Sequence, residues 1–355
     1  MMNKIEDTLG LCEHCYRHVP AKRFVRDHEI WLSKVCPEHG YSEHLVDPDA
    51  DFYLSFNYAR RPLMHYLLEV TNKCNLACPH CYQMPSNRST DPSIENLIGI
   101  ISTWPDDGYS MSLCGAEPTV RKDLPELIEA IRSMPRKFRR MSILTNGVNL
   151  SNYDYARTFQ HIDQLWWTIG LNHPDYQGSA VRKKQIQGMK NCEDLGMFIK
   201  NISYTLYDMS QLEYCLLEMQ EFGKEKCQQY RVRCGSDIGR TPGGPKVFLS
   251  DLVKEVKRFC KKYNWSFEEE HSQANRAHYS AYINGLWVKI IQWPDVKTLD
   301  LLEIQTESWS DVIPGKPRSP LVHQVILRDG AINKGLPLLD TIPQEYIDNY
   351  GHTRN

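Results

Sequence analysis

Apolar positions in the middle of the chain come as short runs separated by longer stretches of helical period. Runs over 66–71, 110–113, 141–144, 165–171, 198–206 and 230–233 read as strands, and apolar residues spaced by three and four over 93–104, 124–134 and 210–222 read as helices between them. The run over 141–144 is closed by Thr145-Asn146-Gly147, a turn signal. Strands alternating with helices at this spacing predict an α/β fold of parallel β/α units. Past a helix that begins at Ser250 or Asp251 and runs to Tyr263, strand-prone residues over 265–270, 278–283 and 286–293 take over. Asn284-Gly285 between two such runs is the strongest short hairpin signal. A small α/β cap on the open side of the parallel units is expected there, continuing to Asp329 with a tail to Asn355. Its aromatics Tyr279, Tyr282, Trp287 and Trp293 read first as hairpin packing and second as a shield against water.

Bulk properties narrow the class without naming it. At 355 residues the chain can bury one large core plus a small appendage, and 41% hydrophobic with 24% charged content is ordinary for a globular protein. A net charge of -2 gives no basic footprint for nucleic acid, and the run from Arg136 to Arg140 is too short to supply one. No signal peptide and no apolar stretch long enough to span a membrane is read, so a cytoplasmic protein is expected. Twelve cysteines then point to metal and thiol chemistry in a reducing compartment.

Three of those thiols fall in eight residues, Cys74-Asn75-Leu76-Ala77-Cys78-Pro79-His80-Cys81. Soft thiolates select iron-sulfur clusters, zinc or copper(I). A cubane cluster takes four protein ligands, so three close cysteines without a clear fourth leave one iron open to chemistry. A structural zinc loop with a remote fourth ligand draws on the same donors. A second constellation lies upstream, Cys12-x2-Cys15 and then Cys36-x2-His39 followed by Gly40. This spacing suits a closed tetrahedral zinc site of three sulfurs and one nitrogen, with a single rubredoxin-like iron as the competing occupant. A segment that short has little core, so metal supplies much of its folding free energy.

The C-x3-C-x2-C loop after a first strand resembles the signature of the radical S-adenosylmethionine (SAM) enzymes, with His80 where the family has an aromatic ring. The resemblance implies a partial (β/α)6 TIM-like barrel with ligands at the C-terminal strand ends. It also implies a [4Fe-4S] cluster on Cys74, Cys78 and Cys81 whose open iron chelates SAM. Cys114-Gly115-Ala116-Glu117-Pro118 is similar to the family's Gly-Gly-Glu-Pro turn, whose backbone and glutamate receive the methionine ammonium; Cys114 and Ala116 replace glycines. Asn146, which closes the third strand, is expected among the cofactor contacts, and Asn172 stands where the family contacts the ribose. Arg233 is placed to pair with the methionine carboxylate, and Ile238 lies in a glycine-rich turn, 235–239, that resembles the adenine-binding one. Cys114 becomes a candidate hydrogen donor or radical relay beside SAM. Cys192, Cys215 and Cys260 read as small buried hydrophobes.

The amino-terminal ribbon narrows the resemblance, over Leu11 to Thr241, to a branch that includes the tetraether lipid synthases and the dihydropterin-methylating enzymes. The expected organisation is 1–60 metal ribbon and linker, 61–245 barrel, and 246–355 cap and tail. The expected activity is reductive SAM cleavage and hydrogen abstraction from a small-molecule substrate, leading to C–C bond formation or alkylation, with a flavodoxin- or ferredoxin-type electron donor. Oxidation, rearrangement or crosslinking of a peptide or sugar is the alternative reaction, and a non-catalytic cluster scaffold or electron carrier is the alternative class.

Overall fold

The computed structural model describes residues 3–15, 18–55, 65–78, 81, 85, 87, 91–102, 110–135, 138, 140–173, 178–234, 247–270, 278–292, 297–298 and 310–312. The amino-terminal segment is an antiparallel meander of β1 (Asn3–Leu11), β2 (His18–Arg26), β3 (Glu29–Cys36) and β4 (Gly40–Asp47). In a meander the first and third turns fall at the same end, which is what brings the two halves of the ribbon motif together. Inward residues Ala21, Ile30, Leu32 and Val46 form a small core with Ala50 and Tyr53 of helix α1 (Ala50–Leu54).

A second sheet carries the rest. Six strands run parallel in chain order: β5 (His65–Thr71), β6 (Ser110–Gly115), β7 (Arg140–Thr145), β8 (Leu165–Asn172), β9 (Phe198–Leu206) and β10 (Gln229–Cys234). Helices α2 (Ile94–Ser102), α3 (Leu124–Arg132), α4 (Tyr153–Arg157), α5 (Ser179–Asp194), α6 (Leu212–Phe222) and α7 (Leu249–Tyr263) alternate with them. Buried residues of these helices share one core with Leu68, Val70, Met111, Leu113, Ile143, Trp167, Ile169, Ile202, Tyr204 and Val232 of the strands. Leu249, Leu252, Val253, Val256, Phe259 and Cys260 of α7 show the spacing that such a face requires. The architecture is the α/β partial barrel expected, and the opposite strand face forms its polar concave wall. Among the described residues no helix is long and apolar enough to cross a membrane.

The carboxy-terminal segment departs from expectation in placement. Strands β11 (Phe267–Glu269), β12 (His278–Ile283) and β13 (Leu286–Gln292) form at the predicted positions, with Asn284 and Gly285 both at positive φ in the hairpin turn. Rather than lying over the open side as a cap, the hairpin extends the sheet, with β13 parallel to β10. The reason lies in its alternation: Val288 and Ile290 bury against the common core, and an open β10 edge would otherwise leave its backbone unpaired. At the far edge β14 (Ser310–Val312) pairs in parallel with β5. Trp293, the segment from 313 to Asp329 and the tail to Asn355 lie outside the described residues.

Two local features tie these parts together. Gly115 has φ +118, and a Cβ there would meet the Thr71 carbonyl oxygen at 2.2 Å, so only glycine lets the end of β6 close on β5. Asp47, at the end of the ribbon, accepts from the Ser250 amide in the first turn of α7 at 3.4 Å, while Lys254 pairs with Asp49 at 3.0 Å. Burial raises Asp47 to about 6, against hydrogen bonds from Ser250 and Asp49 that pull it down.

Gly115→Ala combines a left-handed backbone with a backbone collision and is expected to lower unfolding free energy by about 2–5 kcal/mol, read by denaturant unfolding. Because the folded pKa of Asp47 exceeds its unfolded value, ionisation costs stability as pH rises from about 4 to above 6. Asp47→Asn removes that dependence, so its stability relative to the wild type is expected to rise by roughly 1 kcal/mol between pH 5 and pH 8. A pH-independent difference would remove Asp47 as the source.

Candidate functional site

Three chain segments converge at the C-terminal ends of β5, β6 and β7. Leaving β5, the chain turns into the cysteine loop, whose root is sewn to the end of β6: Ala116 donates to the Thr71 carbonyl at 3.1 Å and Glu117 to that of Lys73 at 3.0 Å. Thr71 Oγ1 donates to Asp91 at 2.7 Å, and Lys73 pairs with the same carboxylate at 3.1 Å. Arg121 donates to the Val70 and Pro92 carbonyls at 2.9 and 2.8 Å, fixing the segment that returns from the loop.

The loop places Cys74, Cys78 and Cys81 within electrostatic reach of one another. Burial pushes the Cys74 thiol up to about 11, and the charges of Glu117, Cys78 and Cys81 add to the rise, while the Leu76 amide donating to Sγ at 3.3 Å opposes it. Three thiolates this close need a compensating cation, which is what a cluster's iron atoms provide. The donor set therefore fits a cubane with three protein ligands. Pro79 and His80 lie outside the described residues.

Glu117 departs from the ligand-facing part implied by the resemblance. It is 1% exposed, and its carboxylate is directed into the protein: Oε1 accepts from the Thr119 amide at 3.1 Å and Thr145 Oγ1 at 2.6 Å, and Oε2 from the Asn146 amide at 2.7 Å. Burial raises its carboxyl above the usual carboxylate range, opposed by these same bonds. Its work in this structure is to lock the ends of β6 and β7. Pro118 starts the short 3-10 turn after it, and Cys114 is buried on the concave face of β6 opposite Glu69.

A chain of carboxamides braces the loop, and of its members only Asn146 is a site candidate from sequence. Asn146 Nδ2 donates to Asn75 Oδ1 at 2.8 Å, Asn75 Nδ2 to Asn149 Oδ1 at 3.0 Å, and Asn149 Nδ2 to the Thr119 carbonyl at 2.9 Å. The signal available was Asn75 directly after the first cysteine and the Asn146-Gly147 turn; their pairing is tertiary. On β8, Asn172 Nδ2 lies 4.0 Å from Cys78 Sγ, and its carbonyl accepts from Arg182 at 2.9 Å. Gln185 bonds the Asn146 and Gly170 carbonyls at 2.9 and 3.2 Å. Arg233 is level with Thr205 and, across β9, with Asn172, half-buried at the end of β10. Ile238 and its glycine-rich turn lie outside the described residues. Cys192, Cys215 and Cys260 are buried in the helix layer, as their patterns imply.

In the ribbon, the ligand atoms of Cys12, Cys15, Cys36 and His39 all lie within 4.8 Å of one another. Cys15 and Cys36 sulfurs are 3.8 Å apart, and His39 Nδ1 is 3.4 Å from Cys36 and 3.7 Å from Cys12. A tetrahedral zinc with bonds of about 2.3 Å to sulfur and 2.0–2.1 Å to nitrogen needs edges of about 3.5–3.8 Å, so the donors fit the ion. Burial raises the Cys36 thiol, but hydrogen bonds from His39 and the Glu38 and His39 amides outweigh it and bring it to about 6. Glu13, inside the first knuckle, bonds Lys34 at 2.7 Å and His44 at 2.8 Å, pinning that turn to β3 and β4.

Two family models match the sequence: the HMPTM N-terminal zinc ribbon domain over residues 4–48 and the radical SAM superfamily over residues 68–209. The 7,8-dihydro-6-hydroxymethylpterin dimethyltransferase of Methanocaldococcus jannaschii is 30% identical over 228 residues, covering 53% of this chain and 44% of that protein. A probable GTP 3′,8-cyclase of Methanococcus maripaludis is 31% identical over 222 residues, covering 56% of this chain and 73% of that protein. A solved structure of Streptococcus suis SuiB bound to S-adenosylmethionine is 18% identical with a TM-score of 0.47, over 69% of this chain and 53% of that one. The chain spans less than half the length of the first curated relatives it matches. With the cysteine loop at the strand ends and the four-ligand ribbon ahead of it, the chain belongs to the radical SAM superfamily and carries an HMPTM-type zinc ribbon.

Proposed function

We propose that this chain is an enzyme that cleaves SAM reductively and uses the product to alkylate, or to form a C–C bond on, a small organic substrate. The observation that carries the reading is the convergence of three clustered thiols with the Gly115-Ala116 turn, which is bonded to the root of their loop, and with Asn172 at one rim of the barrel. When bound, a [4Fe-4S] cluster with SAM supplies a 5′-deoxyadenosyl radical. Cys74, Cys78 and Cys81 hold the cluster, and the Asn75, Asn146 and Asn149 carboxamides orient their loop. The Gly115-Ala116 carbonyls receive the methionine ammonium, Arg233 its carboxylate, and Asn172 the ribose. His80 and Ile238 are proposed for the cofactor-binding roles that the resemblance implies. The Cys114 thiol, in the wall beneath, is the candidate hydrogen donor. The electron comes from a flavodoxin- or ferredoxin-type donor.

Alkylation is supported by the likeness to the M. jannaschii dimethyltransferase. A second reading, cyclisation of a nucleotide, is supported by the likeness to the M. maripaludis cyclase, most of whose length the match covers.

Anaerobic protein reconstituted with iron and sulfide, given SAM and a one-electron reductant, is expected to form 5′-deoxyadenosine, and Cys78→Ala to form none. A fully loaded protein with SAM bound that stays silent even with the dihydropterin or GTP added would reduce the chain to an iron-sulfur carrier. Protein isolated before reconstitution is expected to hold one zinc per chain in the ribbon. Cys36→Ser should weaken zinc by at least about 100-fold in chelator competition, since even losing a ligand's support costs about 10–100-fold. Iron in its place would overturn the zinc assignment.

A further inference from the structure

Strand alternation sorts the residues of β9 and β10 between two faces. Ile202, Tyr204, Tyr230 and Val232 turn to the helix layer and join the main core. Asn201, Ser203, Arg231 and Arg233 therefore take the concave face. Register sets Arg231 opposite Ser203 on one side and opposite Lys289 of β13 on the other. Lys200, beside the irregularity where β9 meets β8, lies 4.7 Å over the Trp166 ring, with Arg140 4.6 Å over the same ring. Basic groups thus gather on one wall: Arg231 lies two residues deeper than Arg233, or about 7 Å below the rim, and Lys200 lies three residues deeper again than Ser203, the register partner of Arg231.

Two features of this wall point to a ligand. Burial lowers the Arg231 guanidinium to about 10 with Arg233 adding to the fall, and burial with Arg231 and Arg140 lowers Lys200 to about 8; no carboxylate acts on either among the described residues. Arg231 Nε is held by a neutral group of its own strand, Gln229 Oε1, at 3.0 Å. Independently, Ser203 Oγ and Asn201 Oδ1 have no hydrogen-bond partner among the described residues, although these residues are 1% and 2% exposed. Asn201 is oriented by its other end, which donates to Thr168 Oγ1 at 2.9 Å. Buried polar atoms are hydrogen-bonded in the great majority of cases, and an unpaired one calls for a partner.

We propose that the substrate carries an oxyanion, a phosphate or carboxylate, that docks on Arg231 and Lys200 with the Ser203 hydroxyl donating to it, beneath the strand ends where SAM binds. The guanidinium fork matches either oxyanion, and the lysine adds a point charge. Asn201 Oδ1 accepts from an N–H or O–H of the same molecule. The anion anchors the substrate at the floor and leaves its other end directed to the rim. This rests on the proposed function only in assigning the rim to SAM.

The test titrates the whole 355-residue, cluster-loaded chain with inorganic phosphate, inorganic pyrophosphate and succinate by calorimetry, beside Arg231→Gln, Arg231→Lys and Lys200→Gln, each checked for native near-UV circular dichroism. Binding of a phosphate probe or of succinate is expected, identifying the oxyanion. Arg231→Gln should weaken it at least tenfold, about 1.4 kcal/mol, with partial recovery in Arg231→Lys. No binding by any probe, or binding that Arg231→Gln and Lys200→Gln leave within twofold, overturns the proposal. SAM binding is measured on the same samples. Arginine-dependent anion binding without SAM would keep this site and remove the radical reading, whereas SAM binding with flat anion titrations would do the reverse.

Discussion

The buried carboxylate of Glu117 is the interaction on which the rim of the barrel depends. A charge without water is tolerable only where donors surround it, and here they come from two strand ends: Thr119 beyond β6 and Thr145 with Asn146 at the end of β7. Through Asn146 the same node reaches Asn75 in the cysteine loop, so the position of three thiols traces back to one carboxylate. Gly115 permits this closure, because the chain next to Glu117 runs against the Thr71 carbonyl with no room for a side chain. The rigidity that an open iron and its ligand need is built from backbone approach and amide pairing rather than from bulky packing.

Electrostatics divides the molecule by location. Around the cysteine loop, burial raises the thiol at Cys74 and so asks for metal. In the ribbon, hydrogen bonds bring Cys36 down and prepare a thiolate before metal arrives. Within the barrel, helix-covered residues are apolar while the opposite face is lined with Ser112, Ser142, Thr168, Asn201 and Ser203, all buried. A barrel interior of hydroxyls and amides cannot be a self-sufficient core. It is a surface turned inward, and its chemistry belongs to what it holds.

Much of the scaffold was legible because period and composition agree. The strands over 198–206 and 278–283 appear with the bounds read from sequence, where alternation is strong and turn residues flank them. The strand read over 110–113 runs on to Gly115, because Cys114 and Gly115 find partners in β5 that no local pattern announces. The ribbon's cysteine and histidine spacing was legible as a metal set, since ligand identity and separation are local facts. The Asn75 brace and the inward turn of Glu117 were illegible: the same residue types mark any turn, and only the tertiary pairing distinguishes them. The hairpin over 278–292 was read correctly as a hairpin and misplaced as a cap, because an edge strand's partner is chosen by the rest of the sheet.

Asp47 lies at the end of the ribbon, yet the amide it satisfies belongs to a helix two hundred residues later in the chain. Helix α7 thereby takes part of its amino-terminal cap from outside its own sheet, and α7 in turn covers the inner strands of the hairpin beside Arg231. Excising the ribbon would thus do more than delete a metal site: it would strip a helix start of an acceptor and loosen the wall that helix supports. Ribbon and barrel share contacts made by residues far apart in the chain, and a fragment cut between them is not a smaller version of the whole.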